Sequence, residues 1–226
     1  MKWFPYGPNA WLLQFAESVG EEAFFRARSI VTELEHRPPP GLIEFVPGFT
    51  TILLEFKPQQ SEVESVILPE LLERLKFGTL AKIHSTPVKT IPVCYDGPDL
   101  ERVAKQHELQ INEVIARHAA PIYKVYMLGF SPGFPYLGDL DPALHTRRLE
   151  SPRPRVPAGS VAIGGQHTGI YTIDTPGGWN IIGRTPVKVF DPTRGAMPGE
   201  ETEMFLLKPG DRVKFVPTRP DATGSP

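Results

Sequence analysis

The sequence has one cysteine, Cys94, in 226 residues. A lone cysteine makes no internal disulfide, so a core must hold the fold, and a reducing compartment, the cytoplasm, is expected. Long apolar runs are also missing. No segment approaches the roughly 18 residues that a membrane helix needs. The opening MKWFPYGPNA carries a lysine but no apolar stretch of signal-peptide length, and Pro5 and Pro8 interrupt it. An excess of one charge is absent: 24 Lys and Arg face 26 Asp and Glu, a net charge of −2. Such a chain has no bulk electrostatic reason to bind nucleic acid or an anionic membrane, and neither partner is expected. None of the six histidines falls in an H-x-E or H-E-x-x-H pattern, so no metal site is expected. There is no Walker A sequence and no G-x-G-x-x-G.

What the chain does have is proline: 26 residues, about twice the average usage of ~5%. Helix interiors hold few prolines, so loops and strands are expected to dominate. Helical patterns sit mainly in the first half. Ala10–Phe15 reads as a short strand, and Ser18 with Glu21 fits a capping box. Ala23, Phe24, Ala27, Ile30, Val31 and Leu34 follow at helical spacing, and Pro38 to Gly41 end the helix. Stretches 42–46 and 50–56 flank Pro47-Gly48-Phe49 and read as a hairpin. Ser61 and Glu64 suggest a second capped helix, running to Gly78, which Pro69 should kink or restart. The order strand, helix, hairpin, helix predicts a small α+β domain of ferredoxin-like type over residues 1–86.

Residues 79–90 read as a linker and 91–95 (IPVCY) as a strand. Leu100–His107 and Ile111–Ala119 read as helices. Beyond Pro121 no convincing helix appears. Short apolar runs (IYKVYML, SVAIG, GIYTI, NIIG, VKVF, MFLL, RVKFV) alternate with turn residues, and twelve of the 20 glycines fall between 121 and 200. This pattern predicts a mostly β domain, a barrel or a sandwich, over 87–217, with 218–226 as a disordered tail.

Several motifs invite a chemical reading. Gly129-Phe130-Ser131-Pro132-Gly133 matches G-x-S-x-G. A nucleophile elbow needs an N–H after the serine and then a helix; Pro132 has none and Pro135 opposes the helix, so a tight loop is the better reading. Gly164 to Gly169 is glycine-rich but lacks a phosphate-loop lysine, and reads as a barrel turn or an anion nest. His118 at a helix end suits a protonated imidazole facing the dipole. Cys94 reads as a buried small hydrophobe. Arg147, Arg148, Arg153 and Arg155 crowd nine residues stiffened by Pro152, Pro154 and Pro157, as carboxylate or phosphate recognition requires, although a solvated loop looks the same. Arg184 beside Gly183 is a further candidate. Trp179 after Gly177-Gly178 suits a pocket wall or a core plug.

The stretches GFSPGFPYLG (129–138), PRPRVPAGSVAIGG (152–165), TGIYTIDTPGGW (168–179) and IIGRTPVKVFDP (181–192) together resemble the KipI family of 5-oxoprolinase B-type subunits, also called allophanate hydrolase subunit 1. IEFVPGFTTILLEFKP (43–58) and IPVCYDGPDLERVA (91–104) extend the resemblance over most of the chain. It implies an α+β domain followed by a cyclophilin-like barrel. It also implies a C-type partner (allophanate hydrolase subunit 2) and a third, A-type subunit, acting with ATP on 5-oxoproline to give glutamate, with little activity for one subunit alone. The family also implies two alternatives: inhibition of a sensor histidine kinase, and work on urea-derived amides or in biotin-linked carboxyl transfer. No Ala-Met-Lys-Met is present, so any biotin would sit on another chain. The candidate site drawn from these stretches takes Arg155, His167 and Arg184 for chemistry. Phe130, Pro132, Gly133, Phe134, Arg153, Pro157, Gly159, Ser160, Thr168, Tyr171, Gly177, Gly178 and Trp179 are taken for substrate binding, with Arg153 or Arg155 on the substrate carboxylate. Two positions depart from the family pattern: His167 stands where a glutamine is usual, and Thr172 where a proline is.

Overall fold

A computed structural model describes residues 1–58, 60, 62–76, 86–195, 199 and 201–219. The expected Ser61 cap, most of the expected linker and the tail from 220 lie outside the described residues. The chain forms two compact units, Met1–His84 and Ser85–Pro226.

Unit 1 is a four-stranded antiparallel sheet in the order β1 (Lys2–Pro5), β2 (Ala10–Gln14), β4 (Thr51–Phe56), β3 (Leu42–Pro47). Period-two alternation aims Leu13, Ile52, Leu54 and Phe56 into one buried cluster. Helix α1 (Glu21–His36) contributes Ala23, Ala27, Ile30, Val31 and Leu34 to the same cluster. The Ser18–Glu21 capping box does not form. Gly20 is the N-cap, which makes Glu21 the first helical residue rather than the third, and too early to reach back. A π-helical turn (Val63–Ile67) runs into α2 (Leu68–Lys76), so the chain restarts its helix at Pro69, in a first turn where a missing N–H costs nothing. Strands β2 and β3 run the same way with β4 between them, a split β-α-β unit. A ferredoxin-like order would take its fourth strand from after the second helix; here that strand is β1, ahead of the unit.

Unit 2 has a seven-stranded sheet ordered β12 (Asn180–Arg184), β9 (Ser160–Gly164), β10 (His167–Ile170), β7 (Pro135–Leu137), β6 (Tyr123–Leu128), β13 (Arg212–Pro217), β5 (Val88–Val93). Only β13 and β5 pair in parallel. The two edges meet where Cys94 and Arg184 exchange backbone hydrogen bonds of 2.9 and 2.8 Å, so the sheet nearly closes into a barrel. Gly183 permits this seam: a Cβ there would lie 2.5 Å from the Cys94 carbonyl oxygen. Buried Val93, Val125, Ile163, Ile182, Val213 and Phe215 belong to the core cluster of this unit. A separate hairpin pairs β8 (Arg153–Val156) with β11 (Thr175–Gly177). The runs 187–190 and 204–207 do not become strands. Pro186 and Pro192 bracket the first, and the pair meets only at the Phe190–Phe205 bridge beside a 3-10 turn, Glu201–Met204.

Helices α3 (Leu100–Gln106) and α4 (Ile111–Ala119) pack on this unit. α4 starts with a true capping box, Gln110 with Glu113. The expected cationic His118 is not found, because α4 buries its end completely. His118 is 0% exposed and stacks on Phe215 at 4.8 Å. Thr168 Oγ1 spends its proton on the Ala162 carbonyl, so it accepts from His118 Nε2 at 2.8 Å. Nδ1 is then the acceptor for the Tyr95 hydroxyl at 2.7 Å. Burial pushes the imidazole down to about 3, and a neutral ring satisfies every partner. Cys94 is buried, as a small hydrophobe would be.

Candidate functional site

A cleft of about 290 Å³ opens on unit 2. One wall is the loop between β6 and β7. Gly129 N–H donates to the Phe134 carbonyl at 3.1 Å and Phe134 N–H to that of Ser131 at 3.1 Å, which folds the loop tightly. Thr172 Oγ1 donates to the Pro132 carbonyl at 2.7 Å and lies 3.3 Å from Ser131 Oγ. The departure at Thr172 therefore supplies a tether that a proline lacks. Phe130 rides this loop in a left-handed conformation, φ 71°, and is 62% exposed at the rim. A non-glycine residue held there stores strain of order 1–3 kcal/mol, which the surrounding bonds must enforce.

The cleft is aromatic. Phe134 meets Phe130, Tyr136, Tyr171 and Trp179 edge-to-face, with centroids 5.6, 5.1, 5.2 and 5.4 Å away. Two glycines make the cluster possible. A Cβ on Gly164 would stand 2.6 Å from the Trp179 ring, and one on Gly177 would crowd the Tyr171 hydroxyl. Arg148 lies over Trp179, 5.7 Å from the ring centroid. Leu149, Pro152 and Pro176 complete the walls. Burial raises the pKa of Tyr136 and of Tyr171, and nearby Arg148 pulls both back part of the way. Both phenols stay protonated at neutral pH. Among the described residues, no carboxylate, histidine or lysine lines the cleft.

Of the expected substrate residues, Phe130, Phe134, Tyr171, Gly177, Gly178 and Trp179 come together here. Pro132 and Gly133 shape the loop behind them. Pro157, Gly159 and Ser160 form the turn into β9, where Gly159 N–H donates to the Tyr171 carbonyl at 2.7 Å. Thr168 faces His118 inside the barrel. The arginines expected on the substrate or in the chemistry do not line the cleft. Arg153 binds the buried Asp99 at 2.7 Å, Arg155 binds Asp174 through Nε at 2.9 Å, and Arg184 binds Asp96 at 2.9 Å. His167 is half-buried beside Tyr136. Burial lowers its pKa, against a hydrogen bond to the Leu137 backbone. Gly165-Gln166 is a two-residue hairpin turn, with Gly165 at φ 61° donating to the Thr146 carbonyl. Sequence reasoning missed Tyr136, Arg148, Leu149, Pro152 and Pro176 as cleft residues. Tyr136 sits inside the motif 129–138 and Arg148 inside the arginine cluster, so both carry a sequence signal.

Other hollows lie in unit 1, one lined by Trp3, Trp11 and Leu68 and one beside the start of α1. Neither gathers the motif residues. Among the described residues, no group of three or more His, Cys, Asp or Glu is placed to hold a metal, and no helix is long and apolar enough to cross a membrane.

The family model "Carboxyltransferase domain, subdomain C and D" matches residues 1–198. The chain is 40% identical over 223 residues to the B-type subunit of Bacillus subtilis 5-oxoprolinase, covering 93% of this chain and 90% of that protein. The crystal structure of TTHA0988 superposes with a TM-score of 0.77 at 42% identity over 93% of this chain, which spans 40% of that longer chain. The Kluyveromyces lactis urea amidolyase shares the fold, with a TM-score of 0.80 at 21% identity over 98% of this chain and 15% of its own. The chain therefore belongs to the carboxyltransferase subdomain C and D family, among the B-type subunits of 5-oxoprolinase.

Proposed function

We propose that this chain is the B-type component of an ATP-dependent 5-oxoprolinase, opening 5-oxoproline to glutamate with a C-type and an A-type subunit in the cytoplasm. The observation that carries the reading is the aromatic cleft, on a chain 40% identical to a named B-type subunit of 5-oxoprolinase. The barrel is taken to be of cyclophilin-like type.

A lactam resists water because its C–N bond is resonance-stabilised. Transfer of the ATP γ-phosphoryl group to the lactam oxygen weakens that bond. ADP leaves in that transfer. One water then adds at the carbon and the C–N bond breaks toward nitrogen, leaving an acyl phosphate, which a second water splits to the carboxylate and phosphate. In this scheme the walls of Phe134, Tyr171 and Trp179 pack the five-membered ring and exclude bulk water. The protonated Tyr136 and Tyr171 add phenol rings to the cleft wall. No general base lines the cleft among the described residues, and in this reading the base is supplied by another subunit. ATP is likewise assigned to a partner, because the glycine-rich turn at 164–169 is a hairpin whose Gly165 N–H is already committed to Thr146.

The test is ATP hydrolysis dependent on 5-oxoproline, measured for this chain alone and with its C-type and A-type partners. Activity is expected only in the mixture. Its absence from a verified complex would overturn the reading.

A further inference from the structure

Four arginines crowd positions 147–155, and the structure separates their tasks. Arg153 is committed to Asp99 at 2.7 Å. Arg155 is committed to Asp174, outside the cleft. Arg147 does not line the cleft either. Arg148 does. Its guanidinium lies over Trp179, and no carboxylate stands within ion-pair distance of it among the described residues. A guanidinium held over an indole 5.7 Å from the ring centroid, with no hydrogen bond or ion pair to another described residue, keeps its N–H edge available to a ligand. That edge is built for the two oxygens of a carboxylate. The remaining walls are apolar or phenolic, so nothing else in the cleft offers a positive charge.

We propose that Arg148 is the carboxylate-recognition residue of this cleft, which takes a small ring bearing one carboxylate. The ring packs on Trp179, Tyr171 and Phe134, and the carboxylate pairs with the Arg148 fork at the mouth. Phe130, fixed at the rim by the Thr172 tether, closes over the ring's exposed edge. This deepens the 5-oxoprolinase reading and rests on it for the identity of the ring, but not for the charge.

The experiment is a calorimetric titration of the assembled complex without ATP, using 5-oxoproline, 2-pyrrolidinone (the same ring without the carboxylate) and cyclopentanecarboxylate (a carboxylate without the lactam). Wild type is expected to bind 5-oxoproline at least about tenfold more tightly than 2-pyrrolidinone. Arg148→Gln is expected to remove that advantage while leaving 2-pyrrolidinone binding unchanged. Arg155→Gln is expected to change neither. Arg148 is exposed, so the variant should fold; a thermal melt matching wild type checks this. If Arg148→Gln leaves 5-oxoproline affinity intact, or weakens both rings equally, the assignment falls. If cyclopentanecarboxylate binds in an Arg148-dependent way but 5-oxoproline does not bind, the carboxylate site stands and the 5-oxoprolinase reading falls. Binding of neither carboxylate overturns both.

Discussion

Asp99 is 4% exposed, and its carboxylate accepts two hydrogen bonds and faces a second arginine. It accepts from Arg153 at 2.7 Å and from the Ile181 backbone N–H at 2.7 Å, with Arg102 3.6 Å away. It stands at the start of α3 and ties that helix to β12, next to the barrel seam. Arg153 is thus a structural partner. Breaking a buried pair from one side strands the other charge, so Arg153→Ala should destabilise the protein by about 3 kcal/mol in urea unfolding. The apparent KM for 5-oxoproline should stay within roughly twofold. A raised KM with unchanged stability would return Arg153 to the substrate. The sequence makes the arginine cluster plain but not the division of labour within it. The deciding carboxylates, Asp96, Asp99 and Asp174, lie 88, 54 and 19 residues from their arginines, and no local pattern links such distant positions. Aromatic and glycine motifs are more readable, since Gly164 and Gly177 stand where the Trp179 and Tyr171 rings leave no space for a side chain.

For α4, sequence gives the span correctly and the state of its last-turn histidine wrongly. Its apolar spacing and length are clear, and the observed span, Ile111–Ala119, matches the expected one. From sequence, His118 at its end reads as a protonated imidazole set against the helix dipole. Packing decides otherwise: Tyr95, Thr168 and Phe215 enclose the ring. A stability signature follows. The folded imidazole titrates at about 3, and the unfolded one near 6.5. As pH falls below ~6.5 the unfolded chain binds the proton and the folded chain does not. Stability should therefore drop by up to about 1.4 kcal/mol per pH unit until the folded ring itself protonates. Asp141, Asp174 and Asp191, held below the usual carboxylate pKa by their hydrogen bonds, enter only at lower pH. His167, whose pKa is also lowered, adds a slope of the same sign. Urea midpoints between pH 7 and 5 should fall for wild type, and fall measurably less for His118→Gln, which keeps a donor and an acceptor but does not titrate. Equal slopes would mean that the folded ring is charged.

At the scale of the whole chain, the change from helical spacing to glycine-punctuated strands is legible and marks the barrel correctly. Its closure is not, because the seam joins Cys94 to Arg184 across 90 positions of sequence. The edge strand β1 is also hidden, since prolines at 5 and 8 read as punctuation although only one side of that strand pairs. The cleft supplies walls, two phenols and one free guanidinium, and no base. Under the proposed function, this cleft holds the ring and partner subunits supply the base. The most direct measurement is glutamate released from 5-oxoproline per ATP consumed, using the full set of subunits and the same set without this chain. Coupled glutamate formation that vanishes when this chain is omitted is the expected result. Undiminished formation without it, or none from the intact complex, would contradict the assignment.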